Sequence, residues 1–543
     1  MDIKIFGKKP AEGRGRCDVG KARLEYGIEK IAGGLMVIGT VRGGPGRFEI
    51  VRMPAPREFL LNNWQSWGPT QKVSRDQRFP ELEAIHRDYS PFVFSPVPDL
   101  MLRGPVSDYF AAGESFLAGF LASRVAHPFF VVEGGDLVGY LDYFDFRADR
   151  PVALEPFVLL EGTPVESLLG RYAALAQAEN RVVVNPWNPA GWCSWYHYFG
   201  KLEWADVLKN LDIARSVPGF PFEVFQVDDG YQTDIGDWLE GRAGYPGLPG
   251  MAEAIRSRGF RAGIWTAPFS AAETSRLFRD HPDWMVSEGG RPKPCYRGWK
   301  KTIYALDTGR ADVQAWLGEV FSAIKAAGFD YFKIDFLFAA AMPGERARPL
   351  TPIQAYREGL KAVREAIGPS SFLLGCGAPL LPSAGLVDGM RIGEDTAPYW
   401  KTKPSAFQGP NAYFALKNAL TRSFMHKTLW LNDPDCLLLR SSQIELAENE
   451  RTCYALAAGA LDNMILDSDD LSLIDKAGRA VLEQALNLRG GRAVVRGLLG
   501  DDFYLVESRG GPAGPVDLAV NLSDDRRLYK ERAVPPRSAV LVR

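Results

Sequence analysis

ADVQAWLGEVFSAIKAAGFDYFKIDF, residues 311–336, carries the reading of the fold. From Ala311 to Gly328 the apolar residues Val313, Trp316, Leu317, Val320, Phe321 and Ile324 share one face at helical spacing. Gly328 suits the helix C-terminus. A short strand follows, YFKIDF at 331–336. Successive side chains of a strand alternate between its faces. Phe332, Ile334 and Phe336 are expected on the helix-covered outside, with Tyr331, Lys333 and Asp335 pointing inward. An inward lysine and aspartate are costly to bury unless they are paired or functional.

Working outward, the same strand-then-helix rhythm recurs from Gly191 to about Asp470. The expected strands are GWCSW (191–195), FEVFQVDD (222–229), RAGIWTA (261–267), IYALD (303–307), YFKIDF (331–336), FLLGCG (372–377), GMRIGED (389–395) and TLWLND (428–433). Eight such strands over this span predict a (β/α)8 TIM barrel. Before it, segments such as GGLMVIGTVRG and PFFVVEGG read as strands bounded by Gly, Pro or Asp, with one helix near Val165–Gln177. After it come a helix over about Leu471–Leu488 and short alternating runs. The expected chain is multidomain α/β: an N-terminal β-sandwich (1–180), a catalytic barrel (181–470) and a C-terminal antiparallel β domain (471–543).

Composition narrows the function. The 543 residues carry 64 Lys and Arg against 66 Asp and Glu, a net charge of −2. Without a basic excess, nucleic acid is not expected as a partner. No apolar run approaches the roughly 18 residues of a membrane span. The opening MDIKIFGKKP lacks an apolar signal core, so a cytoplasmic location is expected. The six cysteines (17, 193, 295, 376, 436, 453) form no CxxC pair, and only five histidines occur, without HExxH. Neither a zinc site nor a disulfide framework is expected. Walker, GxGxxG and GxSxG motifs are absent, so nucleotide and serine-hydrolase chemistry lose their usual signals.

Barrel active sites lie at the C-terminal ends of the strands. In GMRIGED, Arg391, Gly393 and Asp395 take the inner parity, two strands after Asp335. Two inward carboxylates flanking one atom are what glycoside hydrolysis requires, one ionised and one protonated. Lys333 favours the carboxylate form of Asp335, which makes Asp335 the nucleophile and Asp395 the proton donor. Asp228 and Asp229, at a third strand end, diverge too much to act as an acid/base pair but suit neighbouring sugar hydroxyls; turn formation is their plainer reading. Eleven of the 13 tryptophans lie between Trp187 and Trp430. Sugars stack their C–H faces on such rings, and Trp265 has the inner parity. NNWQSWGP at 62–69 reads as a loop that closes over the site of another domain. His197 and Cys376 read as structural residues.

GWCSWYHYF, FQVDDGYQ with IGDW, GIWTAPFS, YFKIDFLFA, LLGCGAPLLP, RIGEDTAPYW and LNDPD, in this order, resemble family 36 glycoside hydrolases, in particular the compact bacterial α-galactosidases. The resemblance runs from 62–69 to about Asp470 and weakens in the last 70 residues. It implies retaining removal of terminal nonreducing α-galactosyl residues from melibiose- and raffinose-type sugars, without metal or cofactor. It implies the nucleophile at Asp335, the acid/base at Asp395, and sugar contacts at Trp67, Tyr196, Asp228, Asp229, Trp265, Lys333, Cys376 and Arg391. Cys376 is expected to face the sugar 2-position. Glu394 departs from the proline common in relatives, and its parity points away from the pocket. The partner expected is a small carbohydrate, and a homo-oligomer stays open. The other readings are an α-N-acetylgalactosaminidase, an α-galactosyl transglycosylase, a Schiff-base aldolase using Lys333, and a non-catalytic carbohydrate-binding protein.

Overall fold

The computed structural model of the chain describes residues 2–79, 93, 95–401 and 409–542. Its N-terminal part is two antiparallel sheets, one of five strands and one of nine. The hairpin Lys21–Ile31/Gly34–Gly44 pairs continuously from Lys21↔Gly44 to Ile31↔Gly34. Ala22, Leu24 and Ile28 turn inward from its first strand while their neighbours face solvent, the alternation expected of a sheet with one buried face. The two sheets meet through aromatic side chains. Phe120 of the larger sheet lies 5.5 Å from Phe130 of the smaller and 5.3 Å from Phe157. The helix Val165–Glu179 closes this part against the larger sheet, with the Tyr172 hydroxyl donating to Phe120 O at 2.7 Å.

The barrel strands are β1 Ala190–Cys193, β2 Val224–Val227, β3 Arg261–Thr266, β4 Tyr331–Ile334, β5 Phe372–Gly375, β6 Gly389–Arg391, β7 Leu431–Asp433 and β8 Ile465–Asp467. Every ladder among them is parallel, in order from β1 to β7, and β8 pairs with β1. The seam between β7 and β8 is held by Met464 N donating to Asn432 O at 3.0 Å and by a bridge between Leu437 and Asp467. The covering helices include α1 Trp204–Ser216, α2 Gly247–Arg256, α3 Ala311–Ala326, α4 Pro352–Ile367, α5 Ala412–Thr421 and α6 Glu448–Ala460. Helix α3 buries Val313, Leu317, Val320, Phe321 and Ile324. It ends at Gly328, whose φ of +112° is open to glycine and strained for other residues. Helix α4 starts with Pro352 at its first turn and a reciprocal cap between Thr351 and Gln354.

Two strand assignments change. IYALD at 303–307 is not a barrel strand. Residues Gly263 to Thr266 of β3 pair directly with Tyr331 to Ile334 of β4, which leaves no edge between them. The strand Lys301–Ala305 belongs instead to a three-stranded antiparallel sheet, with Ser270–Ala272 and Pro294–Gly298, inserted after β3. The eighth barrel strand is Ile465–Asp467, three buried residues too short to show a period. Likewise only Leu431–Asp433 of 428–433 is extended, because Thr428 N donates back to Met425 O in a tight turn.

Beyond the barrel, the expected helix at 471–488 starts later, over Lys476–Asn487, with the Asp475 side chain accepting from Gly478 N at 2.8 Å. It crosses α6 closely at Gly459, where any Cβ would collide with the Ala485 carbonyl. The chain finishes in a four-stranded antiparallel sheet and a small hairpin. Among the described residues no helix is long and apolar enough to cross a membrane.

Candidate active site

A cavity of about 480 Å³ opens at the C-terminal ends of the barrel strands. From β4, Lys333 and Asp335 face it, as alternation predicts. Asp335 is held at three points: its N donates to Thr266 O at 2.8 Å, Oδ1 accepts from Phe336 N at 2.7 Å, and Oδ2 accepts from Trp265 Nε1 at 3.1 Å. Burial pushes its carboxyl above the ordinary range. Lys333, the Cys376 thiol and Trp265 pull it down, and the charge of Asp395 pushes it up again. The net direction is upward, so Lys333 does not by itself secure the carboxylate.

The reason is that Lys333 has a nearer partner. Its Nζ donates to Asp228 Oδ2 at 2.9 Å, with both side chains almost fully buried. Burial pulls the ammonium down, but Asp228 and then Cys193, Cys376 and Asp335 outweigh it and hold the group above its ordinary value. A lone charge at this depth costs several kcal/mol, so the two neutralise each other in place. Asp229 accepts from Gln232 Nε2 and Trp299 Nε1, each at 2.6 Å. Burial raises its carboxyl against both bonds.

Asp395 faces the same cavity from the loop after β6. Its Oδ1 accepts from Arg391 Nη2 at 2.8 Å. The same nitrogen contacts Asp435 Oδ2 at 2.6 Å and the Tyr196 hydroxyl at 3.2 Å. Burial pushes Asp435 up to about 6, against the pull of Arg391. Arg391 is completely buried and lies outside the cavity lining. Of the residues expected to touch sugar it holds the acid in position rather than reaching the cavity. Cys376 is also fully buried and outside the lining; its Sγ accepts from Trp67 Nε1 at 3.4 Å. The structure brings Trp67, Tyr196, Asp228, Asp229, Trp265, Lys333, Asp335 and Asp395 to the cavity. His197 is not among its walls.

Trp67 arrives from the N-terminal sheets on the 62–69 loop, which is fastened to the barrel. Ser66 N donates to Ala378 O at 2.9 Å, Ala378 N to Ser66 Oγ at 3.2 Å, and Leu380 N to Trp64 O at 2.9 Å. Beneath it the fully buried Arg422 donates to Ser66 O at 2.6 Å, Thr70 Oγ1 at 2.8 Å and Ile392 O at 2.9 Å. Held by these oxygens, its guanidinium is pulled by burial down to about 9. Gly377 leaves room for the indole, since a Cβ there would meet Trp67 at 3.1 Å.

Several lining residues escaped sequence reasoning. Trp299 and Lys300 both have positive φ, 52° and 61°, in the tight turn between Pro294–Gly298 and Lys301–Ala305. Such turns normally carry Asn or Gly, so nothing in the sequence marks this one. It hangs Trp299 and Arg297 over the cavity. Phe336 lines the cavity too, against its expected outward parity. Strand β4 ends at Ile334, and Phe336 turns into the left-handed region at φ 53°. There it stacks on Tyr296 at 5.2 Å and meets Trp67 edge-on at 4.9 Å. Glu394 also faces the cavity, although its parity pointed away, because β6 stops at Arg391 and alternation ends there.

Burial pushes Glu394 up to about 8, with Asp395 adding and Arg391 opposing. In the unfolded chain Glu394 loses its proton near 4.5, its ordinary value, so the folded state binds one proton more between the two values. Rising pH therefore costs stability across that window. The melting temperature of Glu394→Gln minus that of the wild type is expected to grow from about pH 5 to about pH 8 and then level off. Calorimetric scans showing a flat difference over that range would place the carboxyl in ordinary water.

Several carboxyl groups gathered at barrel strand ends in one aromatic-walled cavity are the arrangement that a glycosidase site requires. Residues 27–161 match a family model described as alpha-galactosidase, N-terminal, and residues 173–354 one described as melibiase. An α-galactosidase from Thermus thermophilus, solved with p-nitrophenyl α-D-galactopyranoside, is 31% identical with a TM-score of 0.71, covering 91% of this chain and 98% of that one. The GH36 α-galactosidase AgaA of Geobacillus stearothermophilus, solved with raffinose, shares the fold at 17% identity and a TM-score of 0.62, covering 92% and 73%. In sequence AgaA is 30% identical over 174 residues, 29% of this chain, and the match spans 23% of that relative's length. The chain belongs to the GH36 α-galactosidase family of glycoside hydrolases.

Proposed function

We propose that this protein is a retaining exo-α-galactosidase that releases terminal nonreducing α-D-galactosyl residues from melibiose- and raffinose-type sugars by double displacement. The observation that carries the reading is the convergence of Asp335 from β4 and Asp395 from the loop after β6 on one cavity, with different partners for each. The Thermus relative was solved with an aryl α-galactoside and with stachyose, ligands of this class.

Asp335 attacks the anomeric carbon from the β face while Asp395 protonates the departing oxygen, leaving a β-galactosyl ester on Asp335. Asp395 then takes a proton from water, which attacks from the α face and releases α-galactose. Trp265 Nε1 and Phe336 N fix the two Asp335 oxygens, so the attacking lone pair is aimed before substrate arrives. Arg391 holds Asp395 by Oδ1 and leaves Oδ2 for the glycosidic oxygen. Lys333, Asp228 and Asp229 supply a donor and acceptors for the axial O4 and the O6 of galactose. Glucose, with O4 equatorial, leaves those buried groups unpaired, a loss that reaches orders of magnitude. Trp67, Phe336 and Trp299 wall the cavity around a single terminal sugar. Because Trp67 belongs to the N-terminal sheets, those sheets are part of the catalytic unit.

Proton NMR of the reaction with an aryl α-galactoside tests this reading. α-Galactose is expected first, with the β anomer growing only by mutarotation. First appearance of β-galactose would remove Asp335 from the nucleophile role. Release of N-acetylgalactosamine from its α-glycoside, with no release of galactose, would favour the acetylgalactosaminidase reading instead.

A further inference from the structure

Glu394 is a carboxyl group that the mechanism above does not use. It lies directly before the proposed acid/base Asp395, and both residues line the cavity. Asp395 is tied to Arg391. No hydrogen bond or ion pair to another described residue engages the Glu394 carboxyl, although it is only partly exposed. A carboxyl on a cavity wall with no such partner is free to hydrogen-bond a ligand.

Its position indicates what that is. The groups assigned to the galactosyl unit are Asp228 and Asp229, directly after β2, and Lys333, on β4. Asp395 must reach the glycosidic oxygen, so it marks the boundary between the galactosyl unit and its leaving group. Glu394 is joined to Asp395 in the chain, and Gly409 and Pro410 are held beside it by Asn411 N donating to Asp395 O at 2.9 Å; all three line the cavity, to which Trp195 and Arg297 also contribute. We propose that Glu394 is a specificity-determining residue of the leaving-group side, hydrogen-bonding a hydroxyl of the sugar attached to the galactosyl unit. This rests on the galactosidase reading and deepens it: the substrate class becomes galactosides whose leaving group carries hydroxyls within reach of Glu394. Near neutral pH the carboxyl keeps its proton, so it serves as donor and acceptor alike.

A second effect must be separated from this one. Glu394 adjoins Asp395, and its replacement also changes the field at the acid. Three substrates distinguish the two. Melibiose has a poor leaving group rich in hydroxyls. Methyl α-galactoside has an equally demanding leaving group without hydroxyls. The p-nitrophenyl galactoside needs little protonation and has none either. For Glu394→Ala, the fall in kcat/KM on melibiose is expected to exceed that on methyl α-galactoside by about 10-fold, the loss of one good hydrogen bond. Glu394→Gln, which still donates and accepts, is expected to recover most of that ratio. Equal falls on melibiose and methyl α-galactoside, ordered only by the need for protonation, would overturn the proposal and leave Glu394 as a modulator of Asp395. No change on any substrate would overturn it as well. Wild-type protein inactive on all three would overturn the galactosidase reading itself, and is told apart because it precedes any substitution.

Discussion

Asp335→Asn is expected to lower kcat/KM for every α-galactoside by about 10⁴-fold or more, whatever the leaving group. The amide keeps the size of the carboxylate and one oxygen, which can accept from Trp265 Nε1 or from Phe336 N but not from both. It cannot form the glycosyl ester, so the covalent route is closed and only slow direct hydrolysis remains. The loss is thus chemical, not structural, and melting temperature should change little beside it; relieving an unfavourably buried carboxyl even acts in the stabilising direction. Azide makes the assignment specific. Asp335→Gly vacates the β face, where azide can displace the leaving group in one inverting step and yield β-galactosyl azide, identifiable by NMR. An Asn variant within tenfold of wild type, or a Gly variant giving the α azide, would remove Asp335 from the nucleophile role.

Asp395→Ala should behave differently, because its proton matters only to some leaving groups. On raffinose or melibiose the departing alkoxide needs that proton, and a fall of about 10³- to 10⁴-fold in kcat/KM is expected, the upper range for general acid catalysis. On p-nitrophenyl galactoside the anion leaves unaided, so the first step is nearly spared. The second step loses its base, the glycosyl-enzyme accumulates, and kcat and KM fall together. Azide then attacks that intermediate from the α face, restoring turnover and yielding the α azide, opposite to the Asp335 variant. Equal losses on both substrates, with no rescue, would assign Asp395 a structural role beside Arg391 and Asp435.

The parts of this site visible in sequence are those on regular strands. In β4 all four residues are buried, and the alternation that sends Lys333 inward also sends Asp335. The β2 end likewise brings Asp228 and Asp229 to the cavity. Strand parity no longer holds two or three residues past the last ladder bond. Phe336 follows the end of β4 with a left-handed backbone, and Glu394 lies three residues beyond β6; both face the cavity against their parity. Arg391 and Cys376 show a subtler limit. Inward parity places them inside the barrel, level with Asp335 in the strand register, but each is fully buried against a partner, Arg391 against Asp395 and Cys376 against Trp67.

Taken alone, the order of residues determined the periodic features: the strand-helix rhythm of the barrel, the antiparallel parts on either side, and the inward Lys333 and Asp335 of β4. These are local, since burying one face of a strand or helix dictates which positions are apolar. Tertiary structure decided what has no period. It selected Ile465–Asp467 over 303–307 as the eighth strand, because β3 and β4 pair edge to edge. It swung the Trp299 turn onto Asp229 and fastened Trp67 over the barrel through Arg422. It also paired Lys333 with Asp228 rather than leaving it to Asp335. Each of these contacts joins residues far apart in the chain, and its energy comes from burial and charge neutralisation that exist only once the barrel has closed.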